Sequence, residues 1–183
     1  MLVREILKQV CTLCAKFDVA KYIAGQSAEN YPLMLEEEKL LLQAFHTVEC
    51  ELALEYLPII VEEVIESNGF IPLKDLKESP LAIQNILDSK NKVVPYTLTC
   101  EGIQTAVGRL KLRYSIYPKE KSLTDCIQIP MQYSRVLLLG VAAEYAMLSG
   151  QFELFSLLDK KYRDSISYAC RSKGGIMKMR RWL

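Results

Sequence analysis

Two of the six cysteines, Cys11 and Cys14, form the Cys-x-x-Cys arrangement that dithiol redox proteins use. A redox motif of this kind opens a helix after a strand, so that one thiolate is exposed. Here both cysteines lie inside a predicted helix beside its apolar residues, which favours packing in a core. No second motif of this type is present to complete a zinc site. The sequence therefore predicts buried thiols, with no disulfide between Cys11 and Cys14.

Acid–base chemistry has few candidates in this sequence. His46 is the single histidine, and it lies in a predicted helix next to Phe45 and Val48, without an adjacent cysteine or serine motif. A catalytic histidine needs such a positioned partner. Glu51 and Glu55 are one helical turn apart and could bind a metal or divide acid and base roles, but no third ligand lies nearby in the sequence. We interpret His46 as structural and the two glutamates as part of a solvated face.

Phosphate-binding glycine loops do not occur, since neither GxGxxG nor GxxxxGK[ST] is present. The pair Gly174-Gly175 follows a predicted helix instead of preceding one, so we expect it to end that helix. The sequence predicts no catalytic residue, no metal site and no cofactor. The protein is therefore not expected to be an enzyme.

The last ten residues, GGIMKMRRWL, differ from a plain solubilising tail because bases alternate with methionines and precede a tryptophan and a leucine. Trp and Arg are the residue types that dominate binding hot spots. Docking on a partner is the favoured interpretation, while packing back on the same domain and contact with nucleic acid stay open. The candidate partner-binding residues are Gly174, Gly175, Ile176, Met177, Lys178, Met179, Arg180, Arg181, Trp182 and Leu183.

The composition of the 183 residues is that of a globular protein, 50% hydrophobic and 25% charged. The formal net charge of +1 argues against a protein that binds nucleic acid over its whole surface. Charge is uneven, however: residues 29–66 hold ten glutamates against one lysine, and residues 160–183 hold eight bases against one acid. Unlike surfaces could pair between copies or with a partner. Two solvated faces are the alternative.

The sequence gives no sign of export or membrane insertion. Charges between Arg4 and Lys8 interrupt the N-terminus, which therefore does not resemble a signal peptide. The longest uncharged apolar run, residues 136–143, is too short to span a bilayer. We expect a cytoplasmic protein whose scattered cysteines are reduced and mostly buried. The four cysteines outside the Cys-x-x-Cys motif are Cys50, Cys100, Cys126 and Cys170.

Hydrophobic periodicity predicts helices in the first third of the chain. Apolar residues three and four positions apart predict an amphipathic helix over residues 2–17. Asp18 is expected to cap a short second helix, and residues 26–34 to form a loop. A longer helix is predicted over about 36–57, with acids in its first turn, as the helix dipole favours, and Pro58 at its end.

The period changes after residue 58. β-Branched residues predict a strand from Ile59, and Asn68-Gly69 predicts a type I′ hairpin turn from which the chain returns through residues 70–73. Clean alternation predicts a half-buried strand over residues 110–116. Further strands are predicted at residues 81–87 and 93–100.

Two helices are predicted in the last third. Pro130 is expected to be the first residue of one that runs to about Leu148, and a second follows the Ser149-Gly150 break as an antiparallel hairpin. Helices, then strands, then helices predict an α+β fold with an antiparallel sheet. The complete prediction is one α+β domain over residues 1–173, with helices at about 2–24 and 36–57, strands at about 59–117 and helices at about 130–172, followed by an extended docking tail over residues 174–183.

Several segments resemble small neck proteins encoded in tailed phages and prophages. They are YSRVLLLGVAAEY over residues 133–145, LSGQFE over residues 148–153, the basic ending at Arg180-Arg181-Trp182, and ECELALEYLP over residues 49–58. The order of helices, strand block, helical hairpin and tail is similar over the whole chain. GVAAEY is also a sequence that suits close helix packing, so these motifs are moderately specific.

The resemblance implies a head-to-tail connector, or adaptor, which is a structural virion protein. Such proteins form a ring, commonly of twelve copies, below the portal, and their C-terminal extension docks on the portal protein. Residues 174–183 match that extension by position and character. The implied partners are the portal and other neck or tail proteins, with DNA passing through without specific binding. The implied location is the virion neck, after assembly in the host cytoplasm, and no catalytic residue is implied.

Two features of the residues fit a ring. Gly140, Ala142, Ala143 and Ala146 give one helix a small-residue surface that another helix can approach closely. The acidic block could supply one side of an interface between copies, or line a channel. The main alternative is a DNA-binding or regulatory protein that uses the basic C-terminal helix and tail, which the acidic middle of the chain argues against. A small enzyme is a third class, which lacks a nucleophile–base pair.

Overall fold

A computed structural model describes the backbone of residues 1–26 and 31–171, with side chains described up to Ala169. The chain divides into two compact units. We call Met1–Leu52 with Lys119–Leu183 the helical unit, and Ala53–Pro118 the sheet unit. Two such units can belong to one domain, so the prediction of a single domain over residues 1–173 stays a prediction. The predicted tail, residues 174–183, lies outside the described residues.

The described residues form five α-helices and four strands in one antiparallel sheet, which confirms the predicted α+β class. The helices are α1 (Val3–Leu13), α2 (Phe17–Ile23), α3 (Tyr31–Glu51), α4 (Ser134–Leu148) and α5 (Phe152–Arg171). The strands are β1 (Ile59–Pro72), β2 (Pro80–Leu87), β3 (Thr97–Leu98) and β4 (Gly102–Ile116). Short turns of other helix types are a π-helix at Leu52–Tyr56 and 3₁₀ helices at Leu73–Asp75 and Met131–Tyr133.

Helix α4 is the centre of the helical unit, since α1, α3 and α5 all pack against it. This packing depends on its small residues. A Cβ on Gly140 would lie 2.7 Å from side-chain atoms of both Val48 in α3 and Tyr162 in α5. Ala142, Ala143 and Ala146 are buried as well. The close approach of helices is confirmed, but it is made within the helical unit, so these buried small residues do not supply an interface between copies.

Helices α4 and α5 form the predicted antiparallel hairpin. Gly150 has a φ of +74°, a left-handed conformation that ends α4 and that glycine adopts without a steric penalty. Gly140 and Tyr162, which touch, lie at nearly equal distances along the chain from this turn. Leu158, Tyr162 and Ile166 of α5 are buried, and their spacing of four residues places them on one face of the helix.

The sheet unit is built around β4, which pairs with β1 on one side and with β2 and β3 on the other. Leu110, Leu112, Tyr114 and Ile116 are buried on one face of β4, which confirms the predicted half-buried strand. They pack with Ile71, Ile86 and Ile103 in one apolar cluster. The predicted strand over residues 81–87 is confirmed as β2.

The hairpin predicted at Asn68-Gly69 is wrong. Strand β1 continues through both residues, and its antiparallel partner is the distant strand β4. Asn68 pairs with Val107 and Phe70 with Gln104, so a β-bulge lies between them. Gly69 has the positive φ expected of a turn glycine, +108°, and its N–H donates to Ser67 Oγ at 3.1 Å. The left-handed Gly69 therefore lies opposite the bulge of β4 and not in a turn.

Helix boundaries also differ from the prediction. Helix α1 ends at Leu13, and Asp18 lies in the first turn of α2, whose N-cap is Lys16. Helix α3 begins at Tyr31, inside the predicted loop. Its second residue, Pro32, is tolerated because N–H groups of the first turn have no partner within a helix.

Two further predictions are wrong, the helix start at Pro130 and the strand over residues 93–100. Pro130 does not begin an α-helix: it precedes a 3₁₀ turn, and α4 starts only at Ser134. The strand predicted over residues 93–100 reduces to the two residues of β3. Pro95 has no N–H to offer a ladder, and Tyr96 instead donates its hydroxyl to the carbonyl of Ile83 at 3.0 Å.

We expect Gly140→Ala to destabilise the protein by about 1–3 kcal/mol, because the added methyl overpacks the contact with Val48 and Tyr162. At a helical position with open space, Gly→Ala would instead stabilise the protein by up to about 1 kcal/mol, so the sign of the change in stability tests the close packing. Urea unfolding followed by circular dichroism measures the difference. An unchanged or raised midpoint would contradict the close packing at Gly140.

Candidate functional site

The Cys-x-x-Cys pair is packed in the core of the helical unit. Cys11 and Cys14 are buried, and Cys14 Sγ lies 3.9 Å from the carbonyl oxygen of Ala142 in α4. Burial raises the pKa of Cys11 to about 12 and that of Cys14 to about 11, so both stay protonated at neutral pH. The interpretation as core residues is confirmed. Of the five cysteines whose side chains are described, Cys11, Cys14 and Cys50 are buried, as expected of most of them, while Cys100 and Cys126 are exposed.

His46 has a neighbour that the sequence analysis did not consider. Cys50 follows it by one turn of α3, and its Sγ lies 3.6 Å from Nε2 and 3.8 Å from Nδ1 of the histidine. The spacing of four residues could have predicted this contact. Cys50 is buried, which leaves its sulfur little access to a substrate. The geometry therefore supports a structural role for His46.

The glutamate pair does not form one solvated face. Glu51 is half-buried and accepts a hydrogen bond from the Tyr162 hydroxyl at 3.2 Å, whereas Glu55 is exposed and lies in the π-helical turn. The interpretation as a solvated face is wrong for Glu51. Among residues 1–26 and 31–169, no group of three or more His, Cys, Asp or Glu side chains is arranged to hold a metal. In the same part of the chain, no helix is long and apolar enough to cross a membrane.

The most deeply buried charges in the helical unit are Glu49 and Lys121. The Glu49 side chain is fully buried and accepts a hydrogen bond from Lys121 Nζ through Oε1. Lys121 Nζ also lies 5.9 Å from the centre of the Phe45 ring. A buried carboxylate needs such a partner, because removing one member leaves an uncompensated charge. This pair fixes residues 119–129 against α3 and has no access to a substrate.

A second carboxylate, Glu37, joins three elements of the helical unit. Its Oε2 accepts a hydrogen bond from the buried Tyr145 hydroxyl of α4, and its Oε1 accepts one from Lys16 Nζ at 2.9 Å. Burial raises the pKa of Glu37, but the hydrogen bonds from Tyr145 and Lys16 outweigh it, so the pKa lies below its ordinary value. The network holds the start of α2 and the first half of α3 against α4.

Beside this network lies an open groove of about 500 Å³ between α2 and α3. Its volume is in the range of ligand-binding clefts. Exposed apolar side chains and carboxylates line it together with Lys16, and Glu37 forms part of its wall. We call it the α2–α3 groove and define it by Phe17, Asp18, Leu33, Met34, Glu36 and Leu40.

The α4–α5 turn adds further exposed apolar surface. Met147, Leu148 and Phe152 flank Gly150, and Phe152 is 68% exposed. Helices α3 and α4 are antiparallel, because Val48 touches Gly140 while Glu37 bonds Tyr145. The start of α3 therefore lies at the same end of the helical unit as the α4–α5 turn. Exposed apolar residues concentrated in this way are typical of an interaction surface.

No family model matches this sequence, and no curated protein is significantly similar to it. The surfaces that the described residues present therefore carry the functional inference. The tail residues 174–183 lie outside the described part of the chain, and the prediction that they bind a partner stays a prediction.

Cysteine accessibility gives a direct test of this arrangement. In the native protein, iodoacetamide should label the exposed Cys100 and Cys126 quickly, and Cys11 and Cys14 only after unfolding, because burial keeps their thiols protonated. Peptide mass spectrometry reads the order of labelling. Native labelling of Cys11 as fast as Cys100, or a two-hydrogen mass gain at the Cys11–Cys14 pair on reduction, would contradict the structure.

Tyr145→Phe should destabilise the protein by about 1.5–3 kcal/mol at pH 7, because it removes a hydrogen bond to a charged carboxylate. The folded pKa of Glu37 is lowered, so this contribution is present above the ordinary value of 4.5 and is lost as the pH falls through the folded pKa. The difference from the wild type should therefore narrow on acidification. Urea unfolding at several pH values measures it.

Tyr168→Phe is the matched control for this experiment, since Tyr168 is a tyrosine of α5 that is 84% exposed. It should leave stability within about 0.5 kcal/mol of the wild type, as is usual for surface changes. An equal loss for Tyr145→Phe at pH 7 and at pH 3 would contradict a contribution from ionised Glu37.

Proposed function

We propose that this protein is a non-enzymatic structural protein of a tailed-phage neck, a head-to-tail connector that assembles as a ring below the portal. The observation that carries the proposal is the exposed apolar surface at one end of the helical unit. It comprises the α2–α3 groove and the apolar residues of the α4–α5 turn, Met147, Leu148 and Phe152. Apolar surface of this kind becomes stable in water when a partner covers it.

The internal chemistry of the helical unit is consistent with a structural role. Three carboxylates of the helical unit, Glu37, Glu49 and Glu51, each accept a hydrogen bond from a tyrosine or a lysine of another segment. Cys11 and Cys14 are buried and protonated at neutral pH. Glu37 and Glu51 join helices to one another, and Glu49 joins α3 to the segment after the sheet unit.

The proposal also uses the resemblance of residues 133–145 and 148–153 to phage neck proteins. Those residues form α4 and the start of α5, the hairpin at the centre of the helical unit. In this proposal the portal and neighbouring neck or tail proteins are the partners, and residues 174–183 are the docking segment. DNA passes through the assembled ring without specific binding.

The test is to mix the purified chain with the portal protein of the same phage and to examine the product by native mass spectrometry and negative-stain electron microscopy. A ring of this protein on the portal is the expected result. A chain that neither binds the portal nor associates with itself at high concentration would overturn the proposal. Strong, salt-sensitive binding to duplex DNA would favour the DNA-binding alternative instead.

Deletion of residues 174–183 should abolish assembly on the portal and leave folding nearly unchanged, because a terminal segment contributes little to a core. Trp182→Ala alone should weaken binding by about 2 kcal/mol or more if Trp182 is a hot spot. Portal binding by each variant measures the effect, with circular dichroism as the folding control. Tyr168→Ala removes an exposed aromatic residue elsewhere and should bind normally. Undiminished binding by the truncated chain would refute the docking role.

A further inference from the structure

The Asn68-Gly69 step of β1 has no role in the proposed function. We propose that it is a site of spontaneous covalent modification, at which the Gly69 nitrogen attacks the side-chain amide of Asn68 and the asparagine becomes an aspartyl or isoaspartyl residue. The sequence of the step, the local hydrogen bonds of β1 and the exposure of Asn68 support this reaction. It does not depend on the connector role.

The reaction passes through a five-membered ring in the main chain. The backbone nitrogen of Gly69 gives up its proton and bonds to Cγ of Asn68, and Nδ2 leaves with a proton as ammonia. Water then opens the resulting succinimide. Opening at the side-chain carbonyl gives an aspartyl residue, and opening at the main-chain carbonyl gives an isoaspartyl residue. One water is consumed and one ammonia is released, so the step needs no oxidant, reductant or cofactor.

The residue after the asparagine favours this attack at one position only. Asn68 precedes a glycine, whereas Asn30, Asn85 and Asn91 precede a tyrosine, an isoleucine and a lysine. Glycine has no Cβ to shield the attacking nitrogen, and it allows the backbone rotation that ring closure requires. Asn68 is therefore the asparagine of this chain at which the ring closes most readily.

A local hydrogen bond holds the reacting groups side by side. Asn68 Oδ1 accepts from the Phe70 N–H at 3.4 Å. A side chain that reaches the N–H two residues ahead lies over the peptide bond between them, which places Cγ beside the Gly69 nitrogen. Such proximity favours an intramolecular reaction. Negative charge develops on Oδ1 as the nitrogen attacks, and the Phe70 N–H is the donor that stabilises it.

The strand pairing leaves the Gly69 nitrogen without a partner residue on β4. The register of β1 with β4 passes from Asn68, opposite Val107, to Phe70, opposite Gln104, and skips Gly69. The Gly69 N–H donates to a side chain, Ser67 Oγ, at 3.1 Å. Because a bulge disrupts the ladder locally, the step can rotate more easily than a step within regular pairing.

Water reaches the side chain, as hydrolysis of the succinimide requires. Asn68 is exposed and lines an open groove of about 520 Å³ that Glu66 and Asp75 also line. Conversion adds a carboxylate to this groove and makes it more acidic. An isoaspartyl residue also lengthens the main chain of β1 by one methylene. Because ammonia is lost, the change is irreversible and its extent rises with the age of the protein.

Timed incubation of the folded full-length chain at mildly alkaline pH tests the proposal. Cleavage after glutamate at mildly acidic pH releases residues 67–78, which hold Asn68, and residues 79–101, which hold Asn85 and Asn91. Liquid chromatography with mass spectrometry should show aspartyl and isoaspartyl forms of the first peptide that increase with time. Asn91 is the matched control, an exposed asparagine before a lysine, and it should convert at least tenfold more slowly. Conversion of Asn91 as fast as that of Asn68 would overturn the proposal.

A synthetic peptide of residues 64–72 separates the effect of the fold from that of the sequence. The fold holds the reacting groups together and leaves the Gly69 nitrogen outside the register, so the folded chain should convert at a rate within tenfold of the peptide. A folded-chain rate more than tenfold below that of the peptide would show that the strand protects the step, and the proposal would be wrong.

Two variants test the ring. Asn68→Gln should convert at least tenfold more slowly, because its longer side chain has to form a six-membered ring. Asn68 is exposed, so this variant should keep the circular dichroism spectrum and the urea midpoint of the wild type. Gly69→Ala should also slow the reaction, but the φ of +108° strains an alanine, so its midpoint is measured as well. Loss of ammonia from Asn68→Gln at the wild-type rate would exclude the ring mechanism.

Discussion

The close approach of three helices at Gly140 is the constraint on which the helical unit depends. Val48 of α3 and Tyr162 of α5 both occupy space that any larger side chain on α4 would fill. The turn at Gly150 makes α4 and α5 antiparallel, and the contact of Val48 with Gly140 places α3 against α4. The alignment in turn brings Tyr145 to Glu37, and it places the start of α3 and the α4–α5 turn at one end of the unit.

Hydrogen bonds from tyrosines to carboxylates recur in this protein. Tyr145 donates to Glu37 and Tyr162 to Glu51 in the helical unit, and Tyr114 donates to the buried Glu63 at 2.8 Å in the sheet unit. Burial, followed by the bond to Glu63, raises the pKa of Tyr114 to about 12, so its hydroxyl stays a donor at neutral pH. Each bond satisfies a group whose burial would otherwise be costly. Much of the acidic block of the sequence is thus used to join elements within a unit.

Because these carboxylates are engaged inside the protein, fewer acids are available at its surface to bind a partner. Glu37, Glu49, Glu51 and Glu63 are engaged within their units. The exposed acids of the α2–α3 groove are Glu36 and Asp18, of which Asp18 pairs with Lys21 at 3.8 Å. A groove of mixed apolar and acidic character selects a partner of mixed apolar and basic character.

The sequence by itself determined the features that depend on local periodicity. It predicted the α+β class, the burial of Cys11, the half-buried strand around Leu112 and the hairpin at Gly150, because side chains three to four or two residues apart share a face whatever the rest of the chain does. Tertiary structure decided which strand pairs with which. Asn68-Gly69 carries a strong turn signal, yet its strand pairs with β4 about forty residues away, and the left-handed Gly69 lies opposite a bulge of β4. The ion pair of Lys121 with Glu49 and the groove between α2 and α3 were seen only in the tertiary structure. Both depend on contacts between segments that no local sequence pattern predicts to be close.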